Sequence, residues 1–150
     1  MLLAVDAGLR TGLATFDRAG RLIAYRSQHL ATRTALRRAL PHLIPAGTEV
    51  LAVEGGGPVA LVWTREAERR GLICLSVHAH VWREALLLPR DQRPGANHKD
   101  VSVRLARKVI AESSAPAPTS LTDDAAEAIL LGVWATHHLG WRASLPDLRR

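Results

Sequence analysis

The chain is predicted to fold as one α/β domain, on three observations. Short apolar runs open the sequence at close intervals, separated by Gly-containing turns, the pattern of an antiparallel meander of three strands. A strand, a helix and a second strand then follow between Val50 and Val77, and such a βαβ crossover implies parallel pairing. At 150 residues, 47% of them hydrophobic, the chain can bury one core and is too short for two.

The meander strands are Leu2 to Val5, Gly12 to Phe16 and Leu22 to Tyr25, with DAGLRTG and DRAG as the turns. From Thr34 to Leu43, Leu36, Ala39, Leu40 and Leu43 recur at helical spacing until Pro45 and Gly47 stop the helix. The fourth strand, Val50 to Val53, ends in Glu54 and three glycines. Pro58 suits a first helical turn, and the helix runs to Arg70 before Gly71 closes it. Leu72 to Val77 is the fifth strand.

Residues 88–98 contain PRDQRPGANH, a polar stretch of turn formers that predicts a mobile loop. Helical periodicity resumes from Asp100 to Ile110, and Ser113 to Ser120 reads as a linker. The last helix starts at Thr122 or Asp123 and ends near His138. The tail, about 142–150, is expected to be loosely held.

The formal charge of +6 and a pI near 10.9 point to a polyanionic partner, since cations that neutralise phosphates release counterions. Lys99 and Lys108 are the only lysines. The arginine excess fits forked phosphate contacts, and fits a GC-rich coding sequence as well. No apolar run approaches the roughly 20 residues of a membrane span, and no secretory leader pattern is visible. The expectation is a cytoplasmic protein without membrane contact. Cys74, the single cysteine, lies in an apolar run and reads as an inert core thiol.

Two strands end in a carboxylate followed by a small residue, Asp6 and Glu54, and catalytic groups in α/β sheets gather at such strand ends. On the last helix Asp124 and Glu127 are three residues apart and share a face. That helix is apolar nearly all round and so is buried on both sides. Packed against the strand ends, it would bring four acids together. Such a cluster raises its own pKa values unless a cation relieves it, and oxygen donors suit Mg²⁺ or Mn²⁺ rather than zinc. Acids in turns and at helix N-termini are also ordinary structural features, so it is the combination that points to a metal site. Whether Asp123 replaces Asp124 there stays open.

Asp6 with Gly8 and Gly12, Glu54, and DDAAEA before the last helix together resemble the RuvC family of Holliday-junction resolvases, in the RNase H-like nuclease superfamily. The resemblance spans nearly the whole chain, and VWREAL and NHKDVSVRLARKV are similar to connecting segments of small or phage-type members. It implies an RNase H-like five-stranded mixed sheet flanked by helices, a homodimer, and two symmetric nicks in a four-way DNA junction. It also implies Asp6, Glu54, Asp124 and Glu127 as catalytic and metal-binding residues for Mg²⁺ or Mn²⁺, two ions per site, and a nucleoid-associated location. In many members an aromatic residue follows the second acid, where this chain has Gly55 to Gly57. The expected DNA-contacting residues are Arg10, Arg83, Arg90, Arg93, His98, Lys99, Arg104 and Arg107. His98 also reads as a solvated loop residue.

Competing features are weaker. His78 and His80 would share one face of an extended segment, yet zinc needs three or four converging ligands, and no zinc is expected. Trp63, Trp82, Trp134 and Trp141 read as core or interface. The same fold could process RNA, as RuvX-type nucleases do. DAGLRTG is also similar to the phosphate hairpin of actin-like ATPases, which need two lobes. A non-catalytic nucleic-acid-binding relative would not need four intact acids. Excess apolar surface on helix 58–70 and on the outer side of the last helix predicts a two-fold interface there.

Overall fold

The computed structural model describes residues 1–95 and 97–148. Five strands, β1 (Leu2–Asp6), β2 (Arg10–Phe16), β3 (Leu22–His29), β4 (Val50–Glu54) and β5 (Ile73–Val77), form one sheet in the order β3-β2-β1-β4-β5. β1 pairs antiparallel with β2, and β2 with β3, while β1 with β4 and β4 with β5 are parallel. The helices are α1 (Arg33–Leu43), α2 (Gly57–Arg70), α3 (Ala79–Leu86), α4 (His98–Ala111) and α5 (Asp123–His138).

Alternation along the strands divides the core into two layers. Leu3, Val5, Leu51 and Val53 pack with Leu36, Leu40 and Trp63 of α1 and α2 on one face. Leu2, Ala4, Val50 and Ala52 face the other way, toward Ile129 and Leu130 of α5 and the residues of α3 and α4. By the same parity Asp6 and Glu54, next in those rows, point to the α5 side. The parallel register sets them directly opposite each other.

α5 lies along β2 with a close approach at each of two glycines. A Cβ on Gly12 would overlap the Asp124 carbonyl and sit 2.9 Å from the Ala125 nitrogen; one on Gly132 would overlap the edge of the Phe16 ring. Eight helical residues rise about 12 Å and four strand residues about 13 Å, so the two approaches keep step along both elements. Gly12 is paired with Asp6, and this closeness delivers the first turn of α5 to the end of β1.

Several expectations change. β3 continues four residues past Tyr25, because the polar RSQH stretch pairs with β2 as a half-exposed edge strand. α4 starts at His98 rather than Asp100, since Asn97 caps it by accepting from the Asp100 N–H. The expected loop at 88–98 contains a 3₁₀ turn, Pro89–Gln92, and its residue 96 lies outside the described residues. Cys74 is only half-buried, as β5 is an edge strand. The outer side of α5, expected to meet a second copy, is covered by α4 and α3: Leu130 and Leu131 are 0% exposed and share a core with Leu105, Val109, Trp82 and Leu86. Near the tail, Leu148 is buried and Lys108 donates to its carbonyl at 3.0 Å; residues 149–150 lie outside the described part. No described helix is long and apolar enough to cross a membrane.

Candidate metal centre

Asp6, Glu54 and Glu127 each place a carboxylate oxygen so that all three lie within 4.8 Å of one another. The first two come from adjacent strand ends and the third from the second turn of α5. The Ala7 N–H donates to the Glu54 carbonyl at 2.9 Å, extending the β1–β4 pairing past the acids. The platform is therefore sheet backbone rather than loop.

Burial first, and then the charges of Glu54, Glu127 and Asp124, push the Asp6 carboxyl up to about 8; Arg83 opposes the rise. Glu54 is pushed up to about 6, mainly by burial and further by Glu127, against a hydrogen bond from Trp82 and the charge of Arg83. Removing these carboxylates from water disfavours the charged form, and crowding them adds to the effect. Arg83 is the compensating cation: its Nη2 donates to Glu127 Oε1 at 2.9 Å.

Asp124 is not a member of the tight trio. Its Oδ2 accepts from the Ser27 hydroxyl, and Oδ1 is buried without a hydrogen-bond partner among the described residues. The sequence expectation of four converging acids thus becomes three converging acids with Asp124 turned to β3, because β3 reaches far enough to offer Ser27. Asp123 does not join the cluster either. It pairs with Lys99 at 2.7 Å, and the ammonium of Lys99 holds the Asp123 carboxyl below its usual range.

The expected DNA-contacting residues divide. Arg83 is turned inward onto Glu127, with a quarter of its side chain exposed (27%), so its first partner is an acid of the cluster rather than solvent. Lys99 is exposed but paired. Arg10, Arg93, Arg104 and Arg107 are exposed, as is Arg90 beside Asp91 at 3.9 Å. His98 is half-buried in the first turn of α4, not solvated in a loop, and its Nδ1 has no partner among the described residues. His78 and His80 do not share an extended face: they stand at the start of α3 with their rings stacked 5.8 Å apart.

Two site residues escape sequence reasoning. Trp82 is fully buried in α3 and donates through Nε1 to Glu54 Oε2; a lone Trp in an apolar stretch carries no sign of that polar partner. Ser27 lies two residues past the expected end of the third strand, in a polar stretch without apolar alternation. Trp63 is core as expected, and Trp134 and Trp141 pack partly buried against the α5-side core, with Trp134 stacked on His138 at 4.8 Å and Arg18 over the Trp141 ring.

The donor set fits a divalent cation. It is all oxygen, partly dehydrated, and short of positive charge, and Asp124 Oδ1 is a buried acceptor in need of a partner. Outer-shell donors of the Trp82 kind commonly change metal affinity about 10–100-fold when removed. Trp82→Phe should therefore weaken Mn²⁺ binding by at least about tenfold with little change in secondary structure. A calorimetric Mn²⁺ titration with circular dichroism checks it; unchanged affinity would show that Glu54 does not depend on the indole.

No protein-family model and no curated protein sequence matches the chain. Among solved structures, the crystal structure of fowlpox virus resolvase in complex with substrate Holliday junction DNA is similar, with a TM-score of 0.65 and 16% sequence identity. The match covers 92% of this chain and 99% of that one. The likeness shows the fold: a mixed five-stranded sheet flanked by helices.

Proposed function

We propose that this protein is a metal-dependent nuclease that resolves four-way DNA junctions by paired symmetric nicks, using Mg²⁺ or Mn²⁺. The observation that carries the reading is the meeting of Asp6, Glu54 and Glu127 within 4.8 Å at the strand ends of a fold shared with a junction-bound resolvase. A divalent ion bound there would supply an activated water and steady the oxygen leaving the cleaved phosphodiester. Asp6, Glu54 and Glu127 would hold it, with Asp124 as the fourth acid for a second ion.

The chain's own residues supply the rest. Sheet pairing fixes the spacing of Asp6 and Glu54, and Trp82 orients the Glu54 carboxylate. Ser27 does the same for Asp124, and Arg83 offsets part of the negative charge through Glu127. Arg10, Arg90, Arg93, His98, Lys99, Arg104 and Arg107 are read as backbone contacts. Paired nicks need two such sites, so the active form is read as a homodimer, acting with the nucleoid in the cytoplasm. A monodisperse monomer in sedimentation at micromolar concentration would count against the dimer.

The deciding experiment is cleavage of a labelled four-way junction beside matched duplex, flap and structured RNA, in Mg²⁺, Mn²⁺ or EDTA, with wild type and Asp6→Asn. Paired nicks confined to the junction, absent in EDTA and in the variant, are expected. Junction binding without cleavage in either metal would make the protein a binding factor, and cleavage of RNA alone would move it to RNA processing.

A further inference from the structure

Where arginines crowd on the last turn of α2, an acid lies between them: Arg69 and Arg70 share Glu66 at 2.6 Å. The cleft between α1 and α2 is different. Arg33, Arg37 and Arg65 line it above the apolar side chains of Leu40 and Val62, around a volume of about 340 Å³, and no acidic residue lines it. None of the three arginines has an ion-pair partner within 4.0 Å among the described residues. Arg33 and Arg37 are four apart on one helix, a spacing at which like charges repel. Arg33 is also the first residue of α1, and neither α1 nor α2 has an acid in its first turn, so the helix dipoles add to the positive field. Three exposed arginines thus line one cleft, and no described acid pairs with them.

Topology sets this cleft at the acid-bearing end of the sheet. β3 runs parallel to β1, being related to it through two antiparallel pairings, so α1 leaves β3 at the end where Asp6 stands. Pro58, which also lines the cleft, follows Glu54 by four residues, so their Cα atoms are no more than about 14 Å apart. The acids open toward α5 and the arginines toward the opposite face of the sheet.

We propose that the α1–α2 cleft is a phosphate site. Resting on the nuclease reading, the phosphate belongs to the nucleic-acid backbone flanking the cleaved bond. Guanidinium forks match phosphate oxygens bidentately, and one such anchor this near the acids would fix the register of the strand. A second copy, expected on helix 58–70, is the competing occupant, and a two-fold axis through the cleft itself would bring the same three charges face to face.

The test uses the full chain carrying Asp6→Asn, in EDTA, so that binding is measured without cleavage. Arg33→Gln/Arg37→Gln/Arg65→Gln is compared with the parent and with a control of equal charge loss at exposed paired sites, Arg18→Gln/Arg21→Gln/Arg69→Gln. Inorganic pyrophosphate is titrated by NMR, following the arginine Nε–H signals, and four-way junction binding is measured across a salt series. The cleft variant should lose the pyrophosphate response, bind the junction about tenfold more weakly, and lower the slope of log K against log salt by about 1 for each phosphate it no longer engages; the control should do less on every count. Arg33→Lys/Arg37→Lys/Arg65→Lys keeps the charge and should recover the salt slope better than the affinity. Equal pyrophosphate and junction binding by the cleft variant and the parent would overturn the site, as would a pyrophosphate response in neither. Pyrophosphate binding abolished only in the cleft variant, with no junction binding by the parent, would leave the phosphate site standing and remove the nuclease reading. A cleft variant that differs from the parent only in sedimentation would assign the cleft to a second copy and overturn the proposal.

Discussion

Asp6→Asn is expected to melt at a higher temperature than wild type in EDTA near pH 8, and to gain nothing from Mg²⁺ or Mn²⁺. In the folded chain the Asp6 carboxyl is raised to about 8 from an ordinary value of 3.8, first by burial and then by Glu54, Glu127 and Asp124. The folded state therefore holds a proton that the unfolded state has released over the whole interval between those values. Stability falls with rising pH wherever the folded state binds more protons. The metal-free protein should be most stable near pH 4 and lose stability as the pH climbs to about 8, with Glu54, raised to about 6, adding to the lower part of that slope.

Each unit of displacement corresponds to about 1.4 kcal/mol. Asparagine mimics the protonated acid, so the variant should gain on the order of 3 kcal/mol at pH 8 after neighbouring groups relax, and close to nothing at pH 4. At about 2–4 °C per kcal/mol for a chain of this size, the difference is readily measured by calorimetry at the two pH values. Saturating divalent metal should stabilise the wild type, by about 2.7 kcal/mol when the ion is at a hundred times its Kd, so raising its melting temperature, and leave the variant unmoved. A variant that melts below wild type at pH 8 in EDTA would mean that the acids are not in conflict and that the cluster does not need a cation.

Gly12→Ala is expected to disrupt the centre without touching a carboxylate. The added methyl would overlap the Asp124 carbonyl and lie 2.9 Å from the Ala125 nitrogen, and backbone on both sides leaves no flexible group to yield. α5 must lift from β2, and overpacking of this kind costs about 1–3 kcal/mol or more. The same displacement carries Glu127 away from Asp6 and Glu54. Metal-dependent stabilisation should therefore vanish even in conditions where the variant remains folded by circular dichroism. Wild-type metal affinity in Gly12→Ala would show that α5 does not need this close approach to position Glu127.

Much of this was legible in the chain itself. Apolar runs separated by glycine turns specify strands, because alternating side chains can satisfy a two-sided sheet only in that pattern, and β1, β2, β4 and β5 fall within a few residues of expectation. The three-residue spacing of Asp124 and Glu127 was also visible. Yet the helix turns them to different neighbours, Asp124 to Ser27 and Glu127 to the strand-end acids. Local spacing gives the angle between two side chains and says nothing about what stands opposite each.

The α/β class, the strand ends that carry Asp6 and Glu54, and a last helix too apolar to lie on a surface follow from the order of residues alone. Periodicity and turn chemistry act over a few neighbouring residues, so they can be read without knowing the fold. It took the folded chain to show that Trp82 serves Glu54, that Arg83 turns inward to Glu127, that Lys99 engages Asp123, and that Arg33, Arg37 and Arg65 line one cleft between α1 and α2. These pairings join residues far apart in the chain. Packing chooses them, because each buried polar group must find its partner among whatever groups the fold brings within reach.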